Sequence, residues 1–389
     1  MRTAFTAMAI VLAVLVGLMF LEGSGGDDGE QPQAEQADVA TIAARVEAIR
    51  GLKFRERPVP VRISGAQARE EGLSDFDRSY PEERRRADEE ILKLLGLIVP
   101  NVDLRSLSGS VFGEGVAGYY DPRTKRLRIV EGATSGPIAE IVLAHELNHA
   151  LEDQRFGLAL DQSATDDAAL ARLALVEGTA MLVMQQYVVE HVGADEAMGA
   201  LLGSGLDQGP ELPKFVQDQL IFPYLSGLQF AAALQQQGGG WASLDEAARS
   251  RVPESTEQIL HPEKWEAGEE PERVRLDVEL EDGWRRTAAG TWGEWQTAQL
   301  VGGEAPGWGG DRYELWQRGE CSSPPCRNDD VLVMRWAWDT PEAARAFEGK
   351  LRESRVASGD GAAVDARGDT VTLVLAPSAA LARSIASGA

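Results

Sequence analysis

Histidine and cysteine are scarce in this sequence, with four His and two Cys among 389 residues. Two Cys alone make a poor zinc site, which leaves a disulfide or free thiols for Cys321 and Cys326. Positive charge is short as well: 38 Lys plus Arg stand against 62 Asp plus Glu, a formal net charge of −24. A chain so acidic is repelled by nucleic acid and by anionic lipid, so neither is an expected partner, and the surplus also serves solubility. Internal repeats are missing. What remains is ordinary for a soluble folded protein, with 43% apolar and 26% charged residues and enough length for two globular domains.

Long apolar runs are missing too, apart from one at the N-terminus. From Thr3 to Leu21 no residue is charged, and Phe5, Ile10, Val11, Leu12, Leu15, Leu18 and Phe20 stand among the apolar majority. That is near the minimum of roughly 17–25 residues needed to span a bilayer. Arg2 precedes the run, while Glu22, Asp27, Asp28 and Glu30 follow it. Positive charge tends to stay cytoplasmic, so the body should lie outside the cell membrane. No small-residue A-x-A site closes the run and no Cys follows it for lipid attachment, which favours an uncleaved single-pass anchor. A cleaved signal peptide and a secreted body is the alternative. Either way the body is exported, and the membrane is touched through this segment only. In an oxidising compartment Cys321 and Cys326 are each other's sole intramolecular partner. Ser322-Ser323-Pro324-Pro325 between them turns the chain, so a disulfide is expected.

Four segments follow from this reading: an anchor or signal over 1–22, a flexible acidic linker over 23–39, a catalytic domain over 40–268, and a smaller domain over 269–389. The linker is rich in Gly, Gln and acids without an apolar period. Helices are expected over Ala40–Ile49 and Pro81–Leu97, with a short strand over Pro58–Ile63. Gly118-Tyr119-Tyr120 and Arg126–Val130 read as strands joined by the Asp121-Pro122 turn. Two long helices should come next, from Ser135-Gly136-Pro137 to about Gly157 and from about Thr165 to Val192. Pro210 to Trp265 reads as shorter helices and Gly-rich turns, and a composition shift marks a boundary near Gly268 to Pro271. Beyond it come strands Arg312–Gln317 and Val331–Trp338, helix Pro341–Leu351, a hairpin around Val364–Leu375 and a last helix from Ala379. The pattern is α+β.

The scarce histidines are not scattered. His145-Glu146-Leu147-Asn148-His149 is an HExxH motif inside the first long helix. Positions i and i+4 share a helix face, so both imidazoles can reach one metal ion. Glu146 is placed to touch a metal-bound water as general base without being a ligand. A catalytic zinc wants three protein ligands and an open fourth position. On the second helix Glu177 sits within an apolar stripe formed by Leu170, Leu173, Ala174, Ala180, Met181 and Met184. A lone carboxylate facing a core is costly unless it is paired or binds metal. His191 lies fourteen residues further on, about 21 Å along a continuous helix, and cannot share that ion. Glu177 is therefore the expected third ligand, with a buried pair to an Arg such as Arg172 as its alternative.

At these residues the chain resembles a known group. His145 to Asp153 looks like the active-site helix of thermolysin-type peptidases, and Glu177 within Leu175–Ala180 looks like the downstream glutamate of gluzincins. Metzincins are excluded by Glu152 and Arg155. The chain further resembles an uncharacterised bacterial family of exported metallopeptidases. That likeness runs through Gly118–Pro122, the HExxH helix, Phe222-Pro223-Tyr224 with Gly227 and Phe230, Gly239–Trp241, Ser255–Lys264 and Gly307–Tyr313. It implies a zincin-like catalytic domain with an active-site helix pair, a Zn2+ cofactor and a peptide or protein substrate.

Peptide hydrolysis builds an oxyanion that a second donor can stabilise. His261 and Tyr224 are the catalytic candidates for that task; Tyr119 and Tyr120 are further donors. Asp153, four residues after His149, is a candidate acceptor for a ligand's second ring N–H, or else a solvated charge. The strand before the HExxH helix would receive extended substrate backbone, or be a plain hairpin. The reading is zinc-dependent peptide-bond hydrolysis outside the cytoplasm. A catalytically inactive, membrane-tethered binding protein that keeps the zincin fold is the alternative.

Overall fold

The structure, a computed structural model, describes residues 39–114, 117–132, 136–158, 163, 165–202, 212–319, 321 and 324–388. The expected N-terminal anchor and nearly all of the acidic linker lie outside the described residues. Among the described residues no helix is long and apolar enough to cross a membrane.

Helix α1 (Val39–Arg50) is followed by strand β1 (Val61–Ile63) and helices α2 (Gly65–Ser79), α3 (Glu82–Leu94) and α4 (Leu104–Glu114). Strands β2 (Gly118–Asp121) and β3 (Arg126–Val130) form the expected hairpin. Its turn is held by Asp121, whose carboxylate accepts the Arg123 and Thr124 N–H groups at 2.9 and 3.3 Å. β3 lies in the middle of a three-stranded sheet, parallel to β1 and antiparallel to β2, which leaves β2 at an edge.

Helices α5 (Gly136–Phe156) and α6 (Asp166–Tyr187) follow. The Thr165 hydroxyl accepts the Ala168 N–H at the start of α6, and Asp166 and Asp167 suit the positive end of its dipole. A π-helical turn (Val188–Val192) continues α6 before α7 (Ala194–Leu202). The apolar faces of α1 and α5 meet in one cluster: Ile42, Ala43, Val46 and Ile49 pack with Leu143, Ala144, Leu147 and Leu151.

Where shorter helices were expected, one helix of 21 residues, α8 (Lys214–Leu234), runs through Pro223 and Gly227. Proline in a helix interior removes one hydrogen bond and strains one turn, a cost of about 3 kcal/mol that buried packing can offset. Gly227 is retained for a reason of packing given below. The helices α9 (Trp241–Arg249), α10 (Thr256–Leu260) and α11 (Pro262–Ala267) complete this half.

The remainder adds β4 (Arg285–Gly290), α12 (Gly293–Leu300), β5 (Trp308–Gln317), β6 (Asp330–Trp338), α13 (Pro341–Glu353), β7 (Ala362–Arg367), β8 (Thr370–Leu375) and α14 (Ala379–Gly388). The strands form an antiparallel sheet in the order β4-β5-β6-β8-β7. Alternation along β6 sorts its side chains: Leu332, Met334, Trp336 and Trp338 face the main core, while Val331 and Val333 face α14 and the strip Leu276, Val278 and Leu280. The fold class is α+β. Cys321 and Cys326 are bridged, with Cα atoms 5.8 Å apart, in the β5–β6 connection.

Several contacts join the two halves. Trp295 of α12 packs on Phe222 of α8 with centroids 5.0 Å apart, and on Phe215 at 6.1 Å. Arg84 of α3 reaches Asp166 at 2.8 Å and the Tyr313 hydroxyl at 2.6 Å. Lys264 of α11 bonds Asp339, just after β6, at 2.8 Å.

Candidate metal centre

Three side chains from two helices converge. His145 and His149 project from one face of α5, their Nε2 atoms 2.9 Å apart. Glu177 reaches them from α6, with Oε2 3.2 Å from His145 Nε2 and 3.4 Å from His149 Nε2. A metal with tetrahedral bonds of about 2.0–2.1 Å holds its ligand atoms roughly 3.3–3.4 Å apart. The triangle formed here, with edges of 2.9, 3.2 and 3.4 Å, is close to such a face and tighter along its His–His edge, so these residues could hold one metal ion.

Burial sharpens the case. His145, Glu146 and Glu177 are at most 1% exposed and His149 is 4% exposed. Burial opposes a charge on either ring. It lowers His145, aided by its neighbour His149, whereas the Glu177 carboxylate overrides burial at His149 and raises it to about 9. Burial likewise works against the Glu177 anion, but His149 and His145 together hold it down at about 2. Apart from the two imidazoles, neither Glu177 oxygen has a hydrogen-bond donor among the described residues. Three buried groups that turn lone pairs toward one point and lack donors fit a divalent cation.

Glu146 faces β2. The Tyr119–Arg128 and Asp121–Arg126 pairings aim those backbone groups at β3, and the Tyr120 N–H turns outward to donate to Glu146 Oε2 at 2.7 Å. Glu146 Oε1 has no protein partner among the described residues. Burial pushes this carboxyl up to about 8, with Glu177 adding to the rise and His149 and the Tyr120 N–H opposing it. A buried carboxylate with one oxygen fixed and the other open has the form of a proton acceptor.

The Tyr224 ring of α8 lies over His145, with centroids 6.4 Å apart and planes 29° from parallel. His261 is placed elsewhere: it caps α10, its Nε2 lies 3.1 Å from Glu294 of α12, and its Nδ1 lies 3.7 Å from Glu263. His191 is in the π-helical turn, edge-on to Tyr187. Asp153 does not serve a ligand histidine. It is 7% exposed and accepts from the Tyr120 hydroxyl at 2.7 Å, Lys125 Nζ at 2.6 Å and the Leu158 N–H at 3.0 Å. Four positions on, its side chain points past the imidazole toward the hairpin, and neither ring Nδ1 finds a partner among the described residues.

Sequence reasoning missed the support behind the site. Arg50 of α1 is 2% exposed, pairs with Glu152 at 3.0 Å and Asp245 at 2.8 Å, and covers the Trp241 ring at 4.3 Å. Glu152 lies one turn beyond His149. The adjacency of an Arg that closes one helix to an acid in HExxH-Leu-Glu has no spacing signature, since 102 residues separate them. Two other groupings of acids resolve without a metal. Glu90 faces the Cys321–Cys326 bridge, and Glu257, Glu269 and Asp339 surround Lys264 Nζ at 2.6–2.8 Å. A cleft of about 620 Å³ opens at the start of α6 beside Thr165, Asp167, Arg172 and Arg312, and none of the metal-centre residues lines it.

A family model described as "Domain of unknown function (DUF8575)" matches residues 285–386, the part that holds the five-stranded sheet. No curated protein matches the chain. Among solved structures, the chain is similar to one from Chloroflexus aurantiacus described as "a putative hydrolase with a novel fold". The identity is 16%, the TM-score 0.38, and the match covers 59% of this chain and 87% of that one. A likeness that low carries no argument about what this chain does.

Proposed function

We propose that this chain is a zinc-dependent peptidase of the HExxH, gluzincin-like class. The observation that carries the reading is the convergence of His145, His149 and Glu177 within 3.4 Å, with Glu146 beside them and fixed by β2. Two imidazoles and one carboxylate are a donor set that suits zinc and leaves one position open. When bound, the metal would polarise the scissile carbonyl and acidify a water.

The chain's own groups supply the rest. Glu146 accepts the proton through its open oxygen and delivers it to the leaving amine, while the Tyr120 N–H holds the other oxygen still. Tyr224, over His145, is the donor we place at the developing oxyanion; His261, engaged by Glu294, is not carried into the mechanism. The edge position of β2 beside α5 supports an extended peptide as substrate, because among the described residues no strand pairs with its outer side, where Glu146 takes the Tyr120 N–H. The disulfide supports an exported body, and the apolar segment before Leu21 supports a tether at the outer face of the membrane.

The burial of all four side chains favours the second reading, a tethered binding protein without turnover. The retained Glu146, which a purely structural metal site does not need, weighs against it. Metal analysis of the purified chain together with a peptide-library digest decides the matter. One equivalent of zinc and cleavage that stops on metal removal are expected; zinc without cleavage would install the binding reading, and no metal would end the zinc peptidase.

A further inference from the structure

Glycine is expensive in a helix interior, by roughly 0.5–1 kcal/mol relative to alanine. Gly178 and Gly227 nevertheless lie within α6 and α8, in regular helix. Their placement accounts for this. A Cβ on Gly178 would sit 2.0 Å from the Gly227 carbonyl carbon and 2.6 Å from its Cα. A Cβ on Gly227 would sit 2.0 Å from the Ala174 carbonyl oxygen and 3.1 Å from the Gly178 Cα. The two helices therefore cross backbone on backbone. They run in the same direction, since Gln186 near the end of α6 bonds Gln235 just past the end of α8 at 3.4 Å.

The crossing falls at the metal centre. Gly178 directly follows Glu177, and Tyr224 lies one turn before Gly227. We propose that Gly178 and Gly227 are positioning residues, whose backbone crossing sets how far Glu177 reaches toward His145 and His149. The inference rests on the metal reading above. Its magnitude comes from the gap: a contact of 2.0 Å must open to about 3.4 Å for an ordinary methyl contact, so either methyl would drive the helices apart by more than an ångström. Metal–ligand distances tolerate only about ±0.2 Å. α5, which carries both histidines, takes no part in that crossing. A displaced α6 would thus shift the carboxylate relative to the His pair, out of the range in which all three can hold one ion. Loss of supporting geometry around a metal ligand typically costs 10–100-fold in affinity.

Cobalt(II), whose visible absorption reports its ligand set, tests this in the full chain. Gly178→Ala and Gly227→Ala are compared with wild type, with Glu177→Gln, and with Val183→Ala, a fully buried change on α6 outside the crossing. Ala231→Val, one turn beyond Gly227 and fully buried, pries at the same helix more gently should the glycine variants fail to fold. The crossing variants, or Ala231→Val in their place, should bind cobalt 10–100-fold more weakly and give a spectrum like that of Glu177→Gln. Val183→Ala should keep the wild-type spectrum even where it melts earlier. A wild-type spectrum and affinity in the crossing variants overturns the proposal, as does the same spectral change in Val183→Ala. Failure of the wild-type chain to bind cobalt at all would instead remove the metal reading on which the proposal stands.

Discussion

Arg50→Met offers a test of whether the first described helix is an integral part of the fold around α5. Arg50 closes α1, is 2% exposed, and holds Glu152 at 3.0 Å on α5 and Asp245 at 2.8 Å on α9. Methionine retains much of the stem's volume but leaves Glu152, 3% exposed, without its cation. Removing one partner of a buried ion pair costs about 3–5 kcal/mol, and the lost stacking on Trp241 is contained within a loss of that order. Denaturant unfolding followed by circular dichroism should therefore show a deficit of about 3–5 kcal/mol near neutral pH. The pH dependence carries a sign. Burial already raises the Glu152 carboxyl in the wild type against the pull of Arg50, and the variant loses that pull. A folded-state pKa raised above the unfolded value means the folded state binds more protons. Stability then falls as pH rises from the unfolded pKa, about 4.3, through the raised folded one. The deficit should accordingly be small near pH 4 and complete at alkaline pH, and Arg50→Met with Glu152→Gln should recover most of it. A deficit below about 1 kcal/mol, the range of an exposed pair, would refute the reasoning and leave α1 as a detachable leader.

Three further outcomes are expected. Glu146→Gln should retain the metal, by elemental analysis, and lose hydrolysis by more than 100-fold, the scale of general acid–base catalysis; wild-type turnover would remove Glu146 from its assigned role. Glu177→Ala should lose most of its metal while His191→Ala keeps it, and the reverse result would dismantle the ligand set. Protease added to intact cells should degrade the body if the tether holds it outside, whereas protection until lysis would place it in the cytoplasm.

The features legible in the sequence were those with a period or a motif. HExxH within an apolar helix and Glu177 on an apolar stripe needed only helical geometry, and the β2–β3 hairpin followed from Asp121-Pro122 between alternating strands. α8 was not legible as one helix because Pro223 and Gly227 carry the signature of a break; the reason for Gly227 lies on α6, some fifty residues away. β4 and α12 went unread, since Arg285–Gly290 alternates weakly and Gly293–Leu300 is short. Asp153 shows the limit of spacing arguments. Its distance from His149 suits a ligand's second ring nitrogen, but Lys125 and Tyr120, brought over by the hairpin, compete for the carboxylate and win. His261 lies 3.1 Å from Glu294, a partner on a helix that was not legible in the sequence.

If the candidate centre holds the metal proposed above, its closure has a consequence for exchange kinetics. With His149, the most accessible of the proposed ligands, 4% exposed, a chelator in solvent could not approach a seated ion and form the mixed complex through which open sites are stripped. Release would have to wait for α5, α6 and α8 to part, so its rate is set by that opening and not by the competitor. Metal removal by a strong chelator should then be slow and should reach a plateau rate that further chelator does not increase. Mild denaturant, which promotes local opening, should accelerate it. A stripping rate that rises in proportion to chelator concentration would mean that the centre is open to solvent in solution.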